Sequence, residues 1–225
     1  MYLLSLSLRS LANRRFTALL TVLAIALSVT LLLAVEKVRT EARASFANTI
    51  AGTDLIVGAR SGSVQLLLYS VFRIGHATNN IRWDSYQFVS DHPRVAWTIP
   101  ISLGDSHRGF PVMGTNLPYF ERYRYGRQQP LAFAQGEPFE DLYDAVLGAD
   151  IARELNYQLG DKVVLAHGTG AVSFVAHDDK PFFVSGILER TGTPVDRTVH
   201  ISLEGMEALH VDWQQGMPAR GSAAV

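Results

Sequence analysis

From Phe16 to Val35 the chain reads FTALLTVLAIALSVTLLLAV, twenty residues with no charge, glycine or proline. About twenty helical residues cross a hydrocarbon core of roughly 30 Å, so the run predicts a transmembrane helix over 16–35. A helix buried in a soluble core would carry a polar stripe every third or fourth position. Here only Thr17, Thr21, Ser28 and Thr30 interrupt, and their hydroxyls can bond back to the helix backbone. A cleaved signal peptide should have an apolar region of about 7 to 15 residues ending in an A-x-A-like site, and neither condition is met. Arg14 and Arg15 at one edge, with Phe16 and Val35 bounding the run, therefore read as a membrane anchor rather than a twin-arginine signal.

The flanks extend this element. Before the span, Leu4, Leu8 and Leu11 recur at helical spacing, so residues 1–15 are expected to form an amphipathic segment at the membrane interface. After it, Val38, Ala42, Phe46 and Ile50 recur every four residues with no Gly or Pro before Gly52, which predicts a stalk helix over 36–51. Arg9, Arg14 and Arg15 are matched by Lys37, Arg39 and Arg43, so positive charge alone leaves the orientation tied; the α-amino group tips it towards an N-terminus inside.

Residues 52–213 read as one α+β domain of ordinary size, and 214–225 as a linker or loose end. Strands are expected at Asp54–Val57, Val95–Leu103 and Phe110–Gly114, the last two joined by a turn at Gly104–Asp105. Further strands are expected at Asp144–Leu147, Lys162–Ala166, Val172–Ala176, Phe182–Leu188 and Val199–Ser202. Helices are expected at Trp83–Ser90, Ala149–Leu155 and Leu203–Leu209. With 48% hydrophobic and 18% charged residues the chain can build a core. Its formal net charge of −1 supplies no basic field for a nucleic acid. The lack of cysteine excludes disulfides, thiolate zinc fingers and thiol nucleophiles.

No residue constellation announces catalysis: there is no GxSxG, HExxH, GxxxxGK[ST] or GxGxxG in its required setting. No catalytic or cofactor-binding residue is assigned. Seven histidines raise a metal hypothesis, but no two stand at i, i+4. Only His177, Asp178 and Asp179 cluster in sequence, and a solvated acidic loop is the preferred reading of them. His76, His92, His107, His167, His200 and His210 read as isolated imidazoles. Tyr119, Arg122, Tyr123 and Arg124, and separately Leu67 and Phe72, are candidate partner surfaces, with buried packing as the competing explanation.

The order of these features resembles the MacB/FtsX-type ABC transporter permeases, relatives of the lipoprotein-releasing LolC and LolE subunits. The resemblance rests on LRSLANRRFTALLTVLAIALSVTLLLAV, TDLIVGARSGS, VMGTNLPYF, LAFAQGEPFED, AVLGADIARELNYQLGDKVVL and FFVSGILERTGTPVDRTVHISLE. It implies an inner-membrane permease subunit with a cytoplasmic N-terminus, a periplasmic core domain beyond about residue 36, and three further spans beyond this portion. It also implies a cytoplasmic ABC ATPase partner that binds ATP and Mg, a second permease copy or paralogue, contact with membrane lipid and a periplasmic accessory protein. Mechanotransmission, the relay of ATP-driven motion through the stalk, is the implied mechanism. No enzymatic activity is expected in this chain itself. The alternative is a single-pass membrane-anchored periplasmic binding or scaffold protein, including a metal-linked one.

Overall fold

A computed structural model describes residues 14–49, 51–75, 79–168 and 177–211, with the side chains of 42–48 left aside, and the backbone of 213–214 and 217–218. The expected amphipathic segment thus falls almost wholly outside the described residues, as do Ile50, the Val172–Ala176 strand and most of 214–225. The chain divides into two units after Ala47.

A helix runs from Arg15 to Thr49 without interruption, all but its last two residues in the first unit. Its segment Arg15–Glu41 is long and apolar enough to cross a membrane, with a mean hydropathy of 2.7 and none of that window buried by protein. Phe16, Leu23, Leu27, Leu31 and Leu33 are each at least 60% exposed, a surface that water would not tolerate around the whole helix. The interrupting hydroxyls satisfy themselves: Thr21 Oγ1 donates to the Thr17 carbonyl at 2.9 Å and Ser28 Oγ to that of Ala24 at 2.8 Å.

The second unit is built on an eight-stranded mixed sheet. Its strands are β1 (Ser102–His107), β2 (Phe110–Thr115), β5 (Phe133–Gly136), β6 (Asp144–Leu147), β7 (Lys162–Val163), β8 (Ala166–His167), β9 (Phe182–Leu188) and β10 (Val199–Ser202). Two small pairs stand apart, β3 (Arg124–Tyr125) with β4 (Gln129–Pro130), and β11 (Trp213–Gln214) with β12 (Met217–Pro218). Across the sheet the order is β5, β9, β6, β10, β2, β1, β8, with β7 also on β9. β10 lies centrally, parallel to β2 and antiparallel to β6.

Alternation along the central strands loads both faces. Val112, Ala145, Leu147, Phe182, Val184, Val199 and Ile201 join the core that includes Ile151 and Ala152 of helix Ala149–Leu155 and Met206 and Leu209 of helix Leu203–His210. Met113 and Val146 turn to the other face, where Tyr119, Phe120, Leu131, Phe139, Leu188 and Val195 form a second core. Because both faces are covered, these strands read as near-continuous apolar runs. Gly148, between β6 and its helix, must be glycine: a Cβ there would stand 2.2 Å from the Val195 carbonyl oxygen. The TGTPVD stretch is closed by Asp196, whose carboxylate accepts from Thr191 N and Gly192 N, both at 2.7 Å, and from Thr191 Oγ1 at 2.8 Å.

Helices Trp83–Ser90, Ala149–Leu155 and Leu203–His210 and strands β2, β6, β9 and β10 lie where the sequence places them. Four expectations need correction. Val95–Ile101 is not a strand, and the pairing with Phe110–Thr115 begins only at Ser102. The hairpin turn is not at Gly104–Asp105 but at Arg108–Gly109, where φ of 48° and 85° supply the two left-handed residues of a two-residue loop. Gly104 and Asp105 instead sit within β1, where the register shifts between Leu103 and Ser106. Asp54–Val57 forms no strand either; Leu55 is 75% exposed, and the pairing nearby is a single bridge between Ala51 and Arg124. The expected strand Lys162–Ala166 is two short pieces, β7 and β8, each paired to a different neighbour.

Candidate functional site

The pairing of β1 with β8 has a chemical consequence at the sheet's edge. Asp105 is drawn directly opposite His167 of β8 and is fully buried. Directly opposed residues on neighbouring strands share a face, and His167 Nδ1 lies 3.2 Å from Asp105 Oδ1. A third group arrives from the last described helix. Ser202 caps that helix by accepting from Gly205 N at 2.9 Å, and His210 ends it. His210 Nδ1 is 2.8 Å from the Met206 carbonyl, one turn back, and since a carbonyl only accepts, Nδ1 carries the proton. Its Nε2 then faces Asp105 Oδ2 at 3.5 Å and His167 Nδ1 at 3.3 Å.

The fourth member comes from a turn. The His177 backbone N–H donates to the Leu165 carbonyl at 2.8 Å, Lys180 N returns to the His177 carbonyl at 3.2 Å, and Lys180 Nζ reaches the Ala208 carbonyl at 2.8 Å. These three bonds tie the turn between the β7–β8 stretch and the last helix. The His177 ring, itself buried, stands edge-on to its neighbours, 5.7 Å from the His210 ring and 6.5 Å from the His167 ring. One donor atom from each of Asp105, His167, His177 and His210 lies within 4.8 Å of the other three.

Electrostatics set the imidazoles apart. The long hydrogen bond to buried Asp105 raises the His210 pKa above its ordinary value against the cost of burial. Burial lowers that of His177, with Asp105 offsetting part of the effect.

Of the residues singled out from sequence, His177 belongs to this cluster, whereas Asp178 and Asp179 are exposed on the turn and outside it. No sequence pattern singles out Asp105, His167 and His210; they are separated by 62 and 43 positions along the chain, and strand pairing unites the first two while the end of helix Leu203–His210 brings the third. His107 and His200 stand elsewhere. His107 is held by the Val164 carbonyl at 2.7 Å and Tyr157 Oη at 3.0 Å, and His200 by the Val146 carbonyl at 3.2 Å.

The candidate partner surface changes in composition. Tyr119 is fully buried, stacked 5.3 Å from His200, and is core rather than surface, because the short helix Pro118–Arg122 turns it onto the sheet. Arg122 is exposed, while Tyr123 and Arg124 are half-buried. Tyr123 Oη donates to the Thr49 carbonyl, and Ala51 N donates to the Arg124 carbonyl at 3.0 Å. Burial pushes the Tyr123 hydroxyl up to about 12, which keeps it a donor. Leu67 and Phe72 are half-buried; Phe72 lines a cavity of about 430 Å³ with Arg73, Asp150, Arg190 and Arg197. Arg15, Phe16 and Val35 are exposed on the long helix, as is Arg14 just before it.

The family described as MacB-like periplasmic core domain matches residues 17–220. No curated protein matches the chain.

Proposed function

Since the chain belongs to the MacB-like periplasmic core domain family, a family of transporter permease components, we propose that it is the membrane subunit of an ABC transporter. Its task in this reading is to couple ATP hydrolysis by a cytoplasmic partner to rearrangement of its periplasmic domain, for export, extraction or release of a substrate. The ATP and Mg are bound by the partner ATPase. A second permease copy or paralogue completes the membrane part, and a periplasmic accessory protein engages the core domain. The N-terminus is cytoplasmic, the Arg15–Glu41 segment crosses the inner membrane, and the sheet domain is periplasmic.

The observation that carries this reading is that one family match, 17–220, takes in both the apolar helix and the sheet domain. The local structure supports it. The Arg15–Thr49 helix has no internal proline or glycine at which motion would be lost. Within the second unit, the helix's last residue Thr49 is buried and gripped through its carbonyl by Tyr123, and Ala51 is paired to Arg124. A displacement of the helix end would therefore be delivered to the Tyr119–Arg124 segment, which packs on the sheet through Tyr119 and Phe120. Side-chain grips of this kind transmit force because the alternative, an unpaired buried carbonyl, costs about 1–3 kcal/mol.

The experiment that tests it is copurification of the gene product from its own locus in mild detergent, with mass spectrometry of what accompanies it. Recovery of an ABC ATPase is expected. Recovery of the chain alone, with ATPase-encoding neighbours expressed, would overturn the reading in favour of a single-pass anchored binding or scaffold protein. Insertion of Gly-Pro beside Arg43 tests the relay itself: transport should fall to background while the domain still folds.

A further inference from the structure

We propose that Asp105, His167, His177 and His210 form a binding site for a divalent d-block cation of the zinc class. The donor set comes first. Three imidazole nitrogens and one carboxylate oxygen suit zinc and its neighbours, whereas calcium and magnesium call for six or more oxygens. The spacing agrees. Four ligands at about 2.0–2.1 Å from a tetrahedral ion are about 3.3–3.4 Å from one another. Two edges of that tetrahedron are already present, Asp105 Oδ1 to His167 Nδ1 at 3.2 Å and His167 Nδ1 to His210 Nε2 at 3.3 Å, while the second carboxylate oxygen, Oδ2, stands 3.5 Å from His210 Nε2. His177 supplies the fourth corner, its donor atom within 4.8 Å of the rest.

The surroundings are arranged as metal ligands require. His210 spends its Nδ1–H on the Met206 carbonyl, which fixes the ring and leaves the Nε2 lone pair aimed inward. Asp105 is a fully buried carboxylate, and among the described residues neither of its oxygens accepts a hydrogen bond of normal geometry. A buried anion so placed costs free energy that a dication in contact with it returns. Lys180, the nearby cation, lies against the Ala208 carbonyl instead of the carboxylate. Entry is open, since the side chains of His167 and His210 remain 41% and 32% exposed while Asp105 and His177 form the floor.

The ligands come from three places: the β1–β8 pair, the turn at 177–180 and the end of helix Leu203–His210. A bound ion therefore cross-links the edge of the sheet to the element that covers it. This inference stands on side chains alone and does not depend on the transport reading.

The test is titration of the full chain in detergent with ZnCl2 against a chromogenic chelator. One equivalent is expected to bind. His167→Ala and His210→Gln, at part-exposed positions where the fold should survive, are each expected to weaken binding at least about 100-fold, more than the roughly 10–100-fold that outer-shell changes cost. Loading with CoCl2 should give the intense visible absorption of a four-coordinate cobalt centre, lost in His177→Ala. A wild-type chain that is folded by circular dichroism yet binds no stoichiometric zinc would overturn the proposal. So would His167→Ala and His210→Gln variants that bind zinc as tightly as the wild type.

Discussion

His200 and the trio His167, His177 and His210 lie in one domain and show two ways of placing imidazoles in a fold. His200 is sealed in the sheet between Val199 and Ile201, facing Tyr119 and Phe120, with one nitrogen on the Val146 carbonyl and the other without a hydrogen-bond partner among the described residues. It is an aromatic that fills space. The trio sits at the sheet's edge around a buried carboxylate, with two of its rings part-exposed. What separates the two cases is the neighbourhood, aromatic burial with the Arg73 cation in range for His200 and an anion for the trio. Burial drives His200 down to about 3, so that it stays neutral, whereas Asp105 pulls His210 the other way.

The largest effect that would break this contrast is acid destabilisation through His200. With a folded-state pKa of about 3 against an ordinary 6.5, the unfolded chain takes up a proton that the folded one refuses. Stability from this group is complete above about pH 6.5 and drains away as pH falls towards 3. The ceiling is roughly 5 kcal/mol, because each pH unit between the two pKa values is worth about 1.4 kcal/mol. In urea unfolding, the wild type should lose more stability between pH 7 and pH 4.5 than a His200→Leu variant does. Parallel losses in the two proteins would show that His200 is not the group refusing the proton.

Next in size is the response to metal. An ion that binds only the folded state at a hundred times its Kd stabilises it by about 2.7 kcal/mol. For a domain of this size that corresponds to a rise of several degrees in Tm with excess ZnCl2. His200→Leu should keep the whole rise and His167→Ala should lose it. A rise that survives in His167→Ala would place the stabilising ion elsewhere and dissolve the distinction between the two kinds of histidine.

Both the helix and the central strands are legible in the sequence because their signals are local. Phe16–Val35 needs only its own length and composition, and AVLGADIARELNYQLGDKVVL carries strand, glycine, helix and turn within one window. The hairpin escapes such reading for a physical reason: Gly104–Asp105 reads like a turn, yet Arg108–Gly109 takes the two positive φ values and leaves Asp105 inside a strand. That displacement is also why the metal cluster is not legible. Its ligands stand at 105, 167, 177 and 210, and a search for histidines one helical turn apart passes over them. The local cue at His177 is real, but it points to the adjacent carboxylates of Asp178 and Asp179, which the turn carries into solvent. Tyr119 misleads in the opposite direction, since a charged, aromatic run looks like surface until the helix Pro118–Arg122 turns two of its rings inward.

A smaller effect concerns the Tyr123 grip on Thr49. Tyr123→Phe removes a hydroxyl that donates to a buried carbonyl and should cost about 1–2 kcal/mol of domain stability. Zinc affinity should be unchanged, because Tyr123 packs on the core that holds Phe120 and Val195, whereas the helix bearing His210 packs on the other through Met206 and Leu209. A coupled loss of zinc binding, read by the same chelator competition, would mean that the two regions share one cooperative element.

The smallest predicted effect is the most discriminating for the cluster's makeup. Asp178 and Asp179 sit one and two residues from a proposed ligand, both exposed, and Asp179 is close enough to His177 to influence its charge. If long-range negative potential drew the metal in, the double variant Asp178→Asn, Asp179→Asn would weaken binding strongly. If direct ligation by the four named side chains is what holds the ion, removing two solvent-screened charges should change affinity less than about fivefold, since exposed pairs are worth about 0–1 kcal/mol. Stability should move by less than about 0.5 kcal/mol. The comparison with His167→Ala is then a ratio rather than an absolute affinity: a part-exposed imidazole that matters far more than two carboxylates beside a ligand marks coordination, and near-equal losses would mark an electrostatic sink.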